Sequence, residues 1–189
     1  AGLFGVLMIQ VLLLLVAAFA LGSEPSGIPE GELIRPQDSS ERSMKKAVKI
    51  EMVKDGATLE EKFRLLKELG FDGVELPSPN SWTVDEVVAA SKASGLPVHG
   101  VVCSEHWASP LNHPDPAVRA KCVEAIREAI RDAKAYGATS VLVVPAVVRK
   151  SMSYDEAWDL SRAELLKVIP DAEAAGIDIA FENVWNNFL

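Results

Sequence analysis

Four times along the chain, a run with helical hydrophobic spacing ends in glycine and a short apolar stretch follows at once. The junctions are Leu69-Gly70-Phe71-Asp72-Gly73-Val74-Glu75-Leu76, Ser94-Gly95-Leu96-Pro97-Val98-His99-Gly100-Val101, Tyr136-Gly137-Ala138-Thr139-Ser140-Val141-Leu142-Val143 and Ala175-Gly176-Ile177-Asp178-Ile179-Ala180-Phe181-Glu182. The residue just past a helix often takes a positive φ, which glycine adopts without steric cost. A strand two or three residues later is the short helix-to-strand loop of a parallel α/β fold. An earlier strand, Val48-Lys49-Ile50-Glu51-Met52, opens the series with no helix before it.

The intervening runs carry start signals. Thr58-Leu59-Glu60-Glu61, Thr83-Val84-Asp85-Glu86 and Ser153-Tyr154-Asp155-Glu156 each set a hydroxyl three residues ahead of a Glu, the pattern of a reciprocal N-terminal cap. Asp115-Pro116 puts a capping carboxylate before a proline at the first helical position. Beyond it, Val118, Cys122, Ile126, Ile130 and Ala133 recur at helical spacing and predict one buried stripe. Arg119, Glu124, Arg127, Glu128 and Arg131 are expected on a solvated face. Pro170 should kink or interrupt the fourth helical pattern.

The order is therefore β-α-β-α-β-α-β-α-β. Val141 to Val144 is a continuous apolar run and Ile177 to Phe181 is apolar except for Asp178, as expected of strands buried on both faces. An open doubly wound sheet and a closed parallel barrel both fit. The turn after the first strand reads Val53-Lys54-Asp55-Gly56-Ala57-Thr58, without the G-x-G-x-x-G of a dinucleotide site. The expected fold class is α/β: a closed barrel of eight β-α steps, of which residues 47–189 supply the first five.

The stretch ahead of the repeat has another character. Residues 1–23 carry no charged side chain, and Leu3 to Leu21 is apolar except for Gln10. Ala18-Phe19-Ala20 offers a small-x-small cleavage pattern, so residues 1–23 read as a signal peptide lacking its basic n-region. An uncleaved anchor is the rival reading, since about 18 apolar residues can just span a bilayer. Either reading predicts an exported domain, periplasmic or extracellular. Residues 24–46, with Pro25, Gly27, Pro29, Gly31 and Pro36, read as a flexible linker.

The whole net charge of -8 then falls after Ser23. An acidic domain repels polyanions, so nucleic acid is not an expected partner, and membrane contact is expected only through an uncleaved N-terminal segment. Cys103 and Cys122 make no disulfide framework and read as small buried hydrophobes.

In both architectures ligands gather at the C-terminal ends of the strands. The second strand is expected to end at Glu75-Leu76-Pro77, the third to run into Cys103-Ser104-Glu105-His106-Trp107, the fourth to end at Val144-Pro145 and the fifth at Glu182-Asn183. A carboxylate at the tip of an apolar strand is costly unless it meets a metal, a cation or a substrate. Glu182 reads either as such a group or as a cap or ion-pair partner, and Glu75 follows the same logic. His106 stands after a strand end and before Trp107. His99, within a strand, and His113, in a loop, read as structural.

Gly70-Phe71-Asp72-Gly73-Val74-Glu75-Leu76, the Gly-Ala-Thr-Ser-Val-Leu stretch at 137–142 and Ile179-Ala180-Phe181-Glu182-Asn183 together resemble the xylose isomerase-like TIM barrels. That family includes sugar phosphate isomerases and epimerases, rare-ketose 3-epimerases, hydroxypyruvate isomerases, inosose dehydratases and type IV endonucleases. The resemblance implies a sugar or sugar phosphate isomerase or epimerase. It also implies a divalent metal ion (Mn, Mg, Co or Zn) and paired glutamates that move a proton through an enediolate. It makes Glu182 both metal ligand and acid–base group, with the other ligands on strands six to eight, so this chain alone is expected to be inactive. Glu75, His106 and Trp107 would bind a small-molecule sugar substrate. Rare-ketose epimerases carry a further Glu six residues after the strand-five Glu, where this sequence has Phe188, which counts against that activity. The alternatives are an exported carbohydrate-binding barrel without catalysis and a three-zinc phosphodiesterase like the type IV endonucleases. The acidic charge and Val144-Pro145 at strand four disfavour the latter. An unpaired fifth strand invites pairing with another chain, which admits a homo-oligomer.

Overall fold

A computed structural model describes residues 44–183. The segment read as a signal, nearly all of that read as a linker, and Phe188 lie outside the described residues. Among the described residues no helix is long and apolar enough to cross a membrane.

Five strands make one sheet: β1 (Ala47–Lys49), β2 (Gly73–Ser78), β3 (Val98–Cys103), β4 (Ser140–Val143) and β5 (Asp178–Phe181). Every pair is parallel, and the spatial order follows the chain, β1-β2-β3-β4-β5. Between them run α1 (Leu59–Glu68), α2 (Val84–Ser94), α3 (Pro116–Tyr136), α4 (Tyr154–Leu165) and α5 (Ile169–Ala175). Consecutive right-handed crossovers place every helix on the same face of the sheet, whereas a doubly wound sheet reverses its strand order and is covered on both faces. The order thus decides between the two architectures left open by the sequence: these are five successive steps of a barrel wall.

The core lies between the wall and its helices. Val74, Leu76, Val101, Cys103, Val141 and Val143 are buried against Phe63, Val87, Ile126 and Ile130. The α3 stripe is seated as its spacing requires, with Cys122, Ile126, Ile130 and Ala133 all buried. Both cysteines are free and buried. The hydrogen bond to Cys103, then burial, push the Cys122 thiol up, which suits an inert packing role.

Local signals set the helix ends. Thr58 and Thr83 close complete capping boxes with Glu61 and Glu86. Asp115 caps α3 ahead of Pro116. The four glycines past helix ends, Gly70, Gly95, Gly137 and Gly176, take φ between 67° and 79°. Pro170 splits the fourth helical pattern, α4 ending at Leu165 and α5 starting at Ile169 with the proline in its first turn.

Three expectations are corrected. The first strand stops at Lys49, and Ile50–Met52 form a 3-10 turn that carries Ile50 into the core at 1% exposure. The third capping box is half made: Ser153 Oγ accepts from the Glu156 N–H at 3.2 Å, but the Glu156 carboxylate does not return to Ser153. The charged face of α3 is not wholly solvated. Arg119 Nε donates to Glu164 of α4 at 3.0 Å, and Arg127 Nε donates to Asp171 of α5 at 2.8 Å, because the next two helices pack beside it.

Candidate active site

Strand register arranges side chains in rows across the wall. Lys49, Glu75, Gly100, Ser140 and Asp178 share one row, and Pro77, Val102, Leu142 and Ala180 share the next row on the same face. Glu182 stands two residues beyond Ala180, past the last strand residue, Phe181. Its N–H donates to the Val143 carbonyl at 3.1 Å, which carries the β4–β5 ladder one rung past the strand and fixes the backbone beneath the carboxylate. Glu182 is solvent-exposed at the C-terminal rim of the wall, where this architecture gathers ligands.

Glu75 is not at that rim. β2 continues through Ser78, so Glu75 sits mid-strand in the lower row. β2 ends one residue past the expected Glu75-Leu76-Pro77, and Leu76 and Pro77 are buried wall positions beyond Glu75. Glu75 Oε1 lies 3.1 Å from His99 Nε2. His99 reaches it through a bulge: Val74 pairs with Val98 and Glu75 with Gly100, leaving His99 as the extra residue. The glycines make room for this contact. A Cβ on Gly73 would meet His99 Cβ at 3.1 Å, and one on Gly100 would meet Ser140 Oγ at 3.2 Å and Glu75 Oε1 at 3.5 Å.

His106 lies in a 3-10 turn (Ser104–His106) after β3 and is turned inward, 2% exposed. Its Nδ1 accepts a hydrogen bond from the Val144 N–H at 3.3 Å, tying the ends of β3 and β4 together. Burial, then the nearby Lys49 charge, push its pKa down to about 4, so the ring is neutral at pH 7 with its proton on Nε2. Trp107 packs edge-on against it, ring centroids 5.1 Å apart, and is itself 42% exposed. Of this pair, Trp107 presents a surface to solvent and His106 supports it from below. His113 Nδ1 accepts from the Asp115 N–H at 3.1 Å, a loop-closing role.

The loops after β3 and β4 are locked together by a residue the sequence reading did not single out. Asn112, 3% exposed, donates from Nδ2 to the Val147 carbonyl at 2.8 Å, and its Oδ1 accepts the Val147 N–H at 3.1 Å. No local signal distinguishes it, because its partner is 35 residues away. Between these loops opens a cavity of about 210 Å³ whose lining includes Arg149, Ser151 and Glu156.

Glu182 is one carboxylate. Among the described residues no group of three His, Cys, Asp or Glu converges on a common point. The described residues therefore fit a single ligand position of the implied divalent ion, and not a whole metal site.

The family model described as xylose isomerase-like TIM barrel matches residues 63–189. An L-ribulose-5-phosphate 3-epimerase of Salmonella paratyphi B is 29% identical over 133 residues, covering 65% of this chain and 47% of that protein. The same enzyme from Salmonella dublin matches equally. The chain thus spans about half the length of the curated relatives it matches. Among solved structures, a 3-keto-D-glucoside 4-epimerase from E. coli superposes with a TM-score of 0.65 at 21% identity, covering 76% of this chain and 57% of that one. An L-ribulose 3-epimerase does so at 0.62 and 20%, covering 74% and 49%. At these identities the superpositions bear on the fold alone.

Proposed function

The chain belongs to the xylose isomerase-like TIM barrel family, and on that premise we propose that the whole protein is a sugar isomerase or epimerase in which Glu182 moves a proton at the carbon beside a carbonyl. The observation that carries the reading is the place of Glu182: a carboxylate on the C-terminal rim, on a backbone anchored to β4 through Val143. The sugar epimerases among its relatives support the substrate class.

The Glu182 carboxylate accepts a proton from the C–H next to a ketone. The electron pair of that bond moves into the carbonyl and leaves an enediolate. Return of a proton to the opposite face inverts the centre, which is epimerisation; when the neighbouring hydroxyl passes its proton to the former carbonyl oxygen, return of the carbon-bound proton to the former carbonyl carbon shifts the carbonyl, which is isomerisation. Inversion needs a second acid–base group facing Glu182, and none is assigned among the described residues. Trp107 offers an apolar ring face to the C–H face of a sugar. His106 positions Trp107 and the β3 rim. Glu75, in the lower row, is assigned to the wall and its contact with His99. A divalent ion, when bound, would polarise the carbonyl; Glu182 is the one ligand the described residues offer it, and no step above passes through it. Residues 1–23 would send this activity outside the cytoplasm, which cell fractionation tests.

The test is solvent exchange. The whole protein, incubated in D2O with a panel of ketopentoses, ketohexoses, their phosphates and keto-glycosides, should place deuterium beside the carbonyl, read by proton NMR. Glu182→Gln should abolish it. Unchanged exchange in that variant, or no exchange with any member of the panel, refutes the proposal.

A further inference from the structure

We propose that the cavity between the β3 and β4 loops is a subsite for a neutral sugar ring, which makes the substrate a keto-sugar that carries a glycosidically linked ring rather than a sugar phosphate. The inference deepens the reading above and rests on it for the reaction, but the subsite itself is argued from its own chemistry.

Three features carry it. First, the cavity is built rather than incidental. Asn112 joins its two walls through paired hydrogen bonds to Val147, and Arg119 Nη1 donates to the His113 and Pro114 carbonyls at 2.7 and 3.0 Å, holding the β3 loop from outside. A pocket fixed before binding loses little ordering entropy to its ligand. Second, Arg149 and Glu156 both line it, and among the described residues neither side chain makes a hydrogen bond or ion pair. Glu156 stands at the position where the sequence predicts a return bond to the Ser153 backbone, and that bond is absent. Its carboxylate is left as an acceptor and the Arg149 guanidinium as a donor. Third, Pro110, Val147 and Met152 supply apolar wall beside these charges.

Unpaired charges of opposite sign on one lining select against a phosphate. A phosphate dianion gains from Arg149 but meets Glu156 as a like charge. A sugar hydroxyl donates and accepts at once, so different hydroxyls of one ring can use the carboxylate and the guanidinium. The C–H face of the ring then lies on the apolar wall. The volume of about 210 Å³ is below the usual range for drug-sized ligands and suits one ring. The cavity opens among the loops at the C-terminal ends of β3 and β4, the same end of the wall as Glu182.

The test follows the amides of 15N-labelled protein titrated separately with methyl β-D-glucopyranoside and with inorganic phosphate. The glucoside should give saturable shifts at Asn112, Val147 and Ser151. Arg149→Ala and Glu156→Ala should each weaken it roughly tenfold or more, as loss of a charged hydrogen-bond partner predicts. Both side chains are on the surface, and retained dispersion of the amide spectrum reports that each variant is folded. Phosphate binding tighter than glucoside, strengthened by Glu156→Gln, overturns the proposal in favour of a sugar phosphate. Absence of saturable shifts at these amides overturns it outright. Neither result depends on proton exchange at Glu182, so failure of the subsite and failure of the proposed reaction are read separately.

Discussion

Removing the carboxylate of Glu164 should destabilise the domain by about 3 kcal/mol. Glu164 is 5% exposed and lies between Arg119 and Lys167, with Arg119 Nε at 3.0 Å and the Arg119 side chain 14% exposed. Lys167 is half in solvent, so its share is small, at most about 1 kcal/mol. Arg119 is different. Breaking a buried pair by deleting one partner costs roughly 3–5 kcal/mol because the other charge stays behind. Two carbonyls still hold Arg119, which places the expected loss near the lower end. For a domain of this size the melting point of Glu164→Ala should fall by roughly 6–12 °C, against a typical total stability of about 5–15 kcal/mol. Burial pushes the Glu164 carboxyl up, but Lys167 and Arg119 outweigh it and hold it below the usual carboxylate range. The pair's contribution is therefore complete above the unfolded carboxylate pKa and is lost as pH falls through the lower folded value. Urea denaturation followed by circular dichroism, at pH 7 and again below pH 4, measures both. A loss under about 1 kcal/mol at pH 7, or a difference between variant and parent that persists undiminished in acid, would refute the reasoning.

His106 sets a second and higher pH window. With a folded pKa of about 4 against the unfolded 6.5, its contribution is whole above the unfolded value and declines as pH falls toward 4, by about 2 kcal/mol between pH 7 and pH 5. An imidazole NMR titration should find the ring neutral at pH 5.5, and His106→Phe should lose this part of the pH dependence while stranding the Val144 N–H at a cost of about 1–3 kcal/mol. Titration calorimetry of the 189-residue chain with Mn²⁺ or Zn²⁺ should detect no stoichiometric tight binding, because Glu182 has no converging partners among the described residues. A saturable heat at one ion per chain would contradict that account.

Features that depend on a few neighbouring residues were legible in the sequence. The caps at Thr58, Thr83 and Asp115, the glycines past helix ends and the break at Pro170 all follow from local backbone chemistry. Their order gave the five strands, and the stretches at 70–76, 137–142 and 179–183 together gave the family. What was misread depends on long-range packing. Glu75 sits mid-strand and not at the tip because Leu76, Pro77 and Ser78 pair with Val101, Val102 and Cys103, and nothing in Glu75-Leu76-Pro77 announces those partners. Arg119 looks solvated along its own helix and becomes half of a nearly buried pair only when α4 docks. Asn112 looks like any polar loop residue until Val147 meets it.

Glu75 and Glu182 illustrate how one missed strand boundary alters a functional assignment. Read from sequence, both are strand-tip carboxylates. In the sheet, Glu75 shares a row with Asp178, four residues below Glu182 on β5. At about 3.3 Å per residue that is roughly 13 Å along the strand, before the spacing between β2 and β5 is added. On that separation we assign Glu75, expected from sequence to bind sugar hydroxyls, to the wall rather than to the substrate. Glu75→Gln should leave kcat and KM of the whole protein within about twofold and cost at most about 1 kcal/mol of stability, the value of a part-exposed pair with His99. Glu182→Gln should remove turnover in the same assay. The comparison is decisive because the two substitutions are chemically identical and differ only in row. If Glu75→Gln lowers kcat as much as Glu182→Gln does, with no loss of stability, then the lower row belongs to the reaction.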